Sequence, residues 1–117
     1  MKWLCALAFA LPLLAAAGKW TGPQKEALIA SELMLAADWA QTRQIARNPA
    51  LFRELNPILG EHPSVGRVNT YFLAAMTLNY LFADWLGDNR EFYLGAIAVS
   101  EGVVVNRNAS LGLKVRF

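Results

Sequence analysis

The stretch Val68–Leu86, VNTYFLAAMTLNYLFADWL, decides the fold. Apolar residues dominate it, and polar residues interrupt them only singly or in pairs. Tyr71 and Trp85 lie near its two ends, where aromatic side chains prefer to sit at a membrane–water interface. A membrane-spanning helix needs about 20 predominantly apolar residues. We therefore expect a helix here, and this helix is the best candidate in the chain for a transmembrane span.

The composition favours the same interpretation for the whole chain. Hydrophobic residues make up 56% and charged residues 17% of the 117 residues, against about 45–50% and about 25% in soluble domains. A small soluble domain needs polar residues to cover its large surface. A chain this apolar lies in lipid or hides its surface against partners. The net charge of +2 and the scattered basic residues argue against a nucleic-acid partner.

The N-terminus has the pattern of a targeting segment. Lys2 precedes an apolar run from Trp3 to Ala17, which ends in three alanines. This pattern is typical of a secretory signal peptide cleaved near Ala17, or of an uncleaved signal anchor. The single cysteine, Cys5, lies inside the run, so no intrachain disulfide can form. Residues 18–117 are then expected to form a single helical membrane domain.

Two further helices are expected on either side of the central stretch. Thr21 and Gln24 have the spacing of a capping box and predict a helix over residues 24–47. Residues 87–90, GDNR, predict a tight turn, with Asp88 capping a helix over 92–105 and Glu91 completing a second capping box. Helices joined by so few residues pack as antiparallel neighbours.

The remaining segments are rich in turn signals. Residues 48–64 hold three residue–proline pairs, each of which ends or begins an element. Asn48 could cap a short helix over Pro49–Leu55. In the tail, Asn106 to Phe117, apolar residues occupy every second position from Leu111 to Phe117, which predicts a short strand or an extended arm on the surface.

The expected fold class is all-α, a small membrane bundle of three to four helices with a short extended C-terminal tail. Spans near 27–42, 68–86 and 92–105 separate the basic residues into two groups. One side collects Arg43, Arg47, Arg53, Arg67, Arg107, Lys114 and Arg116, and the other keeps Lys19, Lys25 and Arg90. Cytoplasmic loops are enriched in basic residues, so the central loop and the C-terminus are expected on the cytoplasmic side of a bacterial inner membrane. The lipid bilayer is the expected partner, together with further copies of the chain.

Six polar residues in or beside the apolar runs are the candidates for a functional site. They are Asp38, Gln41, Thr42, Glu54, Asn56 and Glu101. A carboxylate in hydrocarbon costs roughly 2.5–3.5 kcal/mol on insertion scales and usually faces the interior of a bundle. One interpretation gathers the three carboxylates around a hard cation or a proton. In the other, the carboxylates near the helix ends pair with arginines such as Arg43 or Arg107, and the loop residues cap helices.

No complete catalytic signature is present. His62, the only histidine, precedes a proline in a loop, and no cysteine or second histidine stands near it in the sequence to complete a zinc site. No Gly-x-Ser-x-Gly turn occurs. We therefore predict no catalytic residue and no cofactor, and an enzyme is the less favoured class.

The central residues carry a resemblance to a known group of proteins. Asp38 and Thr42, followed by Glu54-Leu55-Asn56-Pro57, resemble the Asp-x-x-x-Thr and Glu-x-Asn-Pro core of a family of small uncharacterised bacterial and prophage-encoded membrane proteins. The resemblance covers roughly residues 35–106. It implies a multi-helix membrane protein and says nothing of an activity.

Three hypotheses on function follow from these patterns. The first is a small envelope accessory, of phage or prophage origin, that acts by assembling in the membrane. The second is an ion- or proton-handling membrane protein, or a membrane enzyme, that uses Asp38, Glu54 and Glu101. The third is an exported helical protein, released after cleavage of the N-terminal segment, whose apolar helices pack as a core.

Overall fold

A computed structural model of the protein describes residues 20–117. The segment interpreted as a signal peptide or signal anchor, residues 1–17, lies outside the described residues. The described chain forms three α-helices, α1 (Gly22–Arg47), α2 (Val65–Leu86) and α3 (Arg90–Ser110), and a short 3₁₀ helix (Gly87–Asn89) joins α2 to α3. The predicted all-helical class is confirmed.

The start of α1 follows the local sequence. The Thr21 hydroxyl accepts a hydrogen bond from the Gln24 amide at 3.2 Å, and the Gln24 side chain accepts one from the Thr21 amide at 3.1 Å. Both partners of the capping box are thus present, and Pro23 occupies the first turn, where its missing N–H costs nothing. The prediction of this helix start is confirmed.

The expected short helix over Pro49–Leu55 does not form. Asn48 ends α1, because its side-chain amide donates to the Gln44 carbonyl at 2.8 Å instead of capping a following helix. The Asn48 carbonyl accepts from Leu51 and Phe52 in a single turn. The chain then runs without regular structure until Ser64, whose hydroxyl caps α2.

The predicted capping box at Asp88 and Glu91 is also wrong. Asn89 is the N-cap of α3, and it makes no side-chain capping bond. The 3₁₀ turn carries the chain directly from one helix into the next, so Arg90 stabilises the junction instead. Its guanidinium donates to the carbonyls of Ala83 at 3.1 Å and Asp84 at 2.8 Å, close to the end of α2.

The three helices run up, down and up. At one end of the bundle the Trp20 indole donates to Asp84 at 3.1 Å. At the other end the Gln41 amide of α1 donates to the Val105 carbonyl of α3 at 3.0 Å. Helix α1 is therefore antiparallel to α2 and parallel to α3, and the α1–α3 interface is the most extensive.

The apolar core lies on both sides of a polar layer. One cluster surrounds Trp39, which stacks on Phe72 with ring centroids 6.3 Å apart. The other surrounds Trp20 and Leu28 near the start of α1. Full burial of one such large side chain contributes about 1.5–3 kcal/mol. Between the clusters, Ser31, Glu32 and Asn79 are buried within the bundle.

The C-terminal tail differs from the predicted strand. Helix α3 continues past Asn106 to Ser110 and ends in a Schellman motif, in which the Leu113 amide donates to Asn108 at 3.1 Å and the Gly112 amide to Ala109 at 3.0 Å. Gly112 takes a φ of +91° there. No strand forms within residues 20–117. The tail lies on α1, where the Lys114 amide donates to Gln44 at 3.0 Å.

Three transmembrane spans were expected from the apolar runs. Within residues 20–117, none of the helices combines the length and the apolarity that crossing a membrane requires.

Candidate functional site

The candidate site is built on two carboxyl groups from different helices. Asp38 of α1 and Glu101 of α3 face each other across the interface, close enough for a shared proton to join them. The Thr42 hydroxyl, one turn further along α1, donates to Asp38 at 3.1 Å. The Asn108 amide of α3 lies 3.5 Å from the same oxygen. Both of these donors are neutral.

This environment favours a protonated carboxyl. Burial, followed by the hydrogen bond to Glu101 and the charge of Glu101, raises the pKa of Asp38 to about 8, while the bond from Thr42 acts in the opposite direction. One Glu101 oxygen, Oε2, is buried and has no donor among the described residues. Two neighbouring carboxylates repel each other, and one proton held between them removes that repulsion.

Gln41 aligns the two helices beside the carboxyl pair. It is fully buried. Its amide nitrogen donates to the Val105 carbonyl at 3.0 Å, and its amide oxygen accepts from Asn108 at 3.1 Å. Asn108 thus contacts both Gln41 and Asp38. Through Asn108, Gln41 helps to position the Asp38 side chain.

Glu54 and Asn56 hold the loop that closes one side of the site. The Glu54 carboxylate accepts from the amides of Leu55 at 2.9 Å and Asn56 at 3.0 Å. The Asn56 oxygen accepts from the Ile58 amide at 2.9 Å, and its nitrogen donates to the Tyr71 hydroxyl at 2.9 Å. These bonds fix the turn around Pro57 and attach it to α2.

A cleft of about 660 Å³ brings five of the six candidates together. Its lining residues include Asp38, Thr42, Glu54, Asn56 and Glu101. Apolar side chains of the loop, of α3 and of the tail complete the wall, and Leu113 is among them. The cleft therefore connects the carboxyl pair with the loop and with the C-terminal tail.

The alternative prediction paired the carboxylates of Asp38 and Glu101 with an arginine, Arg43 or Arg107. Arg43 donates to Asn69 at 2.9 Å and lies 5.5 Å from the Phe117 ring. Arg107 lines the same cleft as the pair, but no ion pair joins it to Asp38 or Glu101 in the described part of the chain. Arg53 instead forms an ion pair with Glu61 at 4.0 Å, on the surface.

The site does not have the composition of a metal centre. Within residues 20–117, no group of three or more histidine, cysteine, aspartate or glutamate side chains is placed to hold a metal ion. The Glu54 carboxylate accepts hydrogen bonds from amides of its own loop, and His62 is exposed. What the carboxyl pair can do chemically is to take up and release a proton.

A further carboxyl group, that of Glu32, is buried in the bundle and is not among the six predicted site residues. Glu32 is 1% exposed, and neither of its oxygens has a donor among the described residues. Burial raises the pKa of Glu32 to about 8, while the side-chain amide of Asn79 lowers this pKa by a smaller amount. The Tyr93 hydroxyl donates to Asn79, and Asn79 donates to Ser31, each at 3.0 Å.

The sequence does contain a signal for this second centre. Ser31 and Glu32 interrupt the apolar run of α1, and Asn79 interrupts that of α2. Only the packing of three helices shows that these interruptions meet Tyr93 in one layer.

Comparisons with known proteins do not assign the chain to a family. Neither a protein-family model, nor a curated protein, nor a solved structure matches the chain.

Proposed function

We propose that this protein is a proton-handling helical protein, which holds a proton on the Asp38–Glu101 pair and exchanges it with the surroundings through the cleft. The observation that carries the proposal is that two half-buried carboxyl groups face each other across the α1–α3 interface, with neutral donors around Asp38. Such a pair binds one proton much more tightly than an isolated carboxylate does.

The surroundings of the pair suit proton exchange. The cleft gives it a path to solvent, because exposed loop residues form part of the same wall. Thr42 and Asn108 can donate to the carboxylate once the proton leaves, so the ionised state keeps hydrogen-bond partners. The raised pKa of Asp38, about 8, places the exchange near neutral pH.

Infrared spectroscopy of the full chain tests the proposal directly. Carbon-13 labelling of the aspartate carboxyls separates Asp38 from Glu32 and Glu101. We expect a protonated aspartate C=O band at neutral pH, lost in Asp38→Asn. In Glu101→Gln the pKa of Asp38 should fall, because the variant removes a negative charge and supplies an amide donor.

Glu61→Gln is the matched control for Glu101→Gln, because the Glu61 side chain is exposed and does not line the cleft that holds the pair. It should leave the aspartate band unchanged. An aspartate that is fully ionised at neutral pH in the wild-type protein would contradict the proposal. So would a band whose titration is the same in the wild type and in Glu101→Gln.

A second candidate function retains the expected membrane partner. Here the chain is a small bacterial envelope protein, of phage or prophage type, that acts at the inner membrane by assembling with further copies. Its support is the exposure of large apolar side chains along α2 and α3, including Trp85 at 77% and Phe92 at 86%. Exposed apolar surface of this kind marks membrane or protein contact sites.

Cell fractionation tests the second candidate. We expect the expressed chain in the bacterial membrane fraction, and the mass of its N-terminal peptide shows whether the segment near Ala17 is cleaved. Recovery of the mature chain in the soluble periplasm would support the exported helical protein instead. A loss of membrane potential on induced expression would point to a lytic role.

A further inference from the structure

The fold sorts the charged residues to opposite ends of the bundle. One end is formed by the C-terminus of α1, the 48–64 loop, the start of α2 and the tail after α3. We call it the basic end. Its exposed basic residues are Arg47, Arg53, Arg67, Arg107, Lys114 and Arg116. The acidic side chains of this end are the exposed Glu61 and the half-buried Glu54, and the half-buried Asp38 and Glu101 lie in the cleft next to Glu54. The basic end is therefore strongly positive.

The opposite end has the reverse balance. Four acidic residues lie there, namely Glu26, Asp84, Asp88 and Glu91. The described basic residues of this end are Lys25 and Arg90. Arg90 is buried and bonded to carbonyls of α2. The chain's small net charge of +2 thus conceals a separation of charge along the 46 Å length of the molecule. A negatively charged surface would attract the basic end and repel the other.

Apolar side chains protrude among the cations of the basic end. In the loop, Leu51 is 77% and Ile58 67% exposed, with Leu55 between them at 54%. In the tail, Leu111 and Val115 are more than half exposed. Nothing in the described residues covers them. Exposed aliphatic side chains interleaved with arginine and lysine suit a lipid interface, where the former enter the acyl boundary and the latter meet phosphates.

We infer that the basic end is a contact surface for anionic lipid headgroups. Charge complementarity selects an anionic partner, and the protruding leucines and valine select a lipid surface over a nucleic acid, whose backbone offers them no apolar phase. The inference goes beyond the second candidate function, because the exposed Trp85 and Phe92 that support that candidate lie at the opposite end of the bundle. It is independent of the proton pair, because it uses none of the Asp38–Glu101 contacts.

Binding of the full chain to vesicles tests this surface. The probes are vesicles of phosphatidylcholine alone and of phosphatidylcholine mixed with phosphatidylglycerol. We expect tighter binding to the mixed vesicles, and a decrease as salt is added. Arg53→Gln and Arg116→Gln should each weaken that binding about fivefold, the usual effect of one basic residue near an anionic membrane.

Glu91→Gln is the matched control, because it changes the net charge by one unit at the opposite end. It should leave vesicle binding unchanged. If Glu91→Gln strengthens binding as much as Arg53→Gln weakens it, net charge alone is responsible and the contact surface is refuted. Competition by duplex DNA as effective as that by the anionic vesicles would also refute it.

A second readout keeps the test independent of the apolar N-terminal run, which could hold any variant on a vesicle. In a Cys5→Ser background, fluorescent labels are placed at Leu55→Cys in the basic end and at Asp88→Cys in the acidic end. Lipid-borne quenchers should reach the first label more when phosphatidylglycerol is added, and the second should not change. Equal quenching of both labels would overturn the inference, whereas the infrared test of the proton pair would stand unaffected.

Discussion

Asp38 and Glu101 present their carboxyl groups to each other across the interface of two parallel helices, far apart in sequence. Gln41 and Asn108 bond directly beside them at 3.1 Å. A buried polar contact of this kind is rarely the most stabilising choice, because apolar side chains of similar volume pack there at no desolvation cost. It does favour one register of α1 on α3, since sliding either helix would leave these groups without partners.

The first prediction concerns the stability of the protein as a function of pH. The pKa values of Asp38 and Glu32 are both raised to about 8, from ordinary values of 3.8 and 4.5. Between those ordinary values and pH 8, the native state binds more protons than the unfolded state. Stability is therefore expected to fall as pH rises, by up to about 1.4 kcal/mol per pH unit for each group.

Urea denaturation at a series of pH values between about 5 and 8 measures this slope. Glu32→Gln should remove the contribution of Glu32 to the slope. At the upper end of the pH range the free energy of unfolding of this variant should exceed that of the wild type. Glu26→Gln, at an exposed position of the same helix, should keep the wild-type slope. A stability that rises with pH over this range would rule out the protonated carboxyls.

The second prediction concerns Arg90 at the α2–α3 junction. Its guanidinium donates to two carbonyls of α2 and lies 4.5 Å from the Trp20 ring. In Arg90→Lys the charge remains, but the forked pair of donors is lost. Leaving a buried acceptor without a partner costs about 1–3 kcal/mol, and we expect the free energy of unfolding to fall by that amount.

Guanidinium denaturation followed by circular dichroism measures the effect. Arg116→Lys is the control, because Arg116 is exposed in the tail and the same exchange there should change stability by less than about 0.5 kcal/mol. Equal stability of the two variants would show that the forked geometry of the Arg90 guanidinium does not stabilise the junction.

The third prediction uses two glycines with opposite expected effects, one within α3 and one in the turn that follows it. Gly112 has a φ of +91° in the turn that directs the tail onto α1, so Gly112→Ala should cost about 1–2 kcal/mol. Gly95 lies within the helix, and a Cβ added there meets nothing within 4 Å. Gly95→Ala should therefore stabilise the protein by about 0.5–1 kcal/mol.

Thermal unfolding of both variants checks this pair. In Gly112→Ala the contact of Phe117 with Trp39, at 5.2 Å between ring centroids, should also loosen, and proton NMR of the aromatic rings reports it. A Gly112→Ala variant as stable as the wild type would mean that the Schellman turn does not hold the tail.

Much of the fold could be predicted from local patterns. The capping box of Thr21 and Gln24 formed as expected, because both partners are three residues apart and need nothing else. Where two local bonds compete, the prediction was wrong. Asn48 could cap a helix after it or bond the helix before it, and it does the latter. At Asp88 the 3₁₀ turn left no room for a separate cap.

The sequence by itself determined that the chain is helical, where α1 begins, and that Asp38 and Thr42 share one face, since residues four apart on a helix are neighbours. Only the tertiary structure decided that Asp38 meets Glu101, that Glu54 and Asn56 hold a turn beside them, and that Glu32 lies with Asn79 and Tyr93 in a buried layer. The physical reason is the range of the interactions. Caps and helix faces depend on residues a few positions apart, whereas the register of α1 on α3 depends on how whole helix surfaces pack.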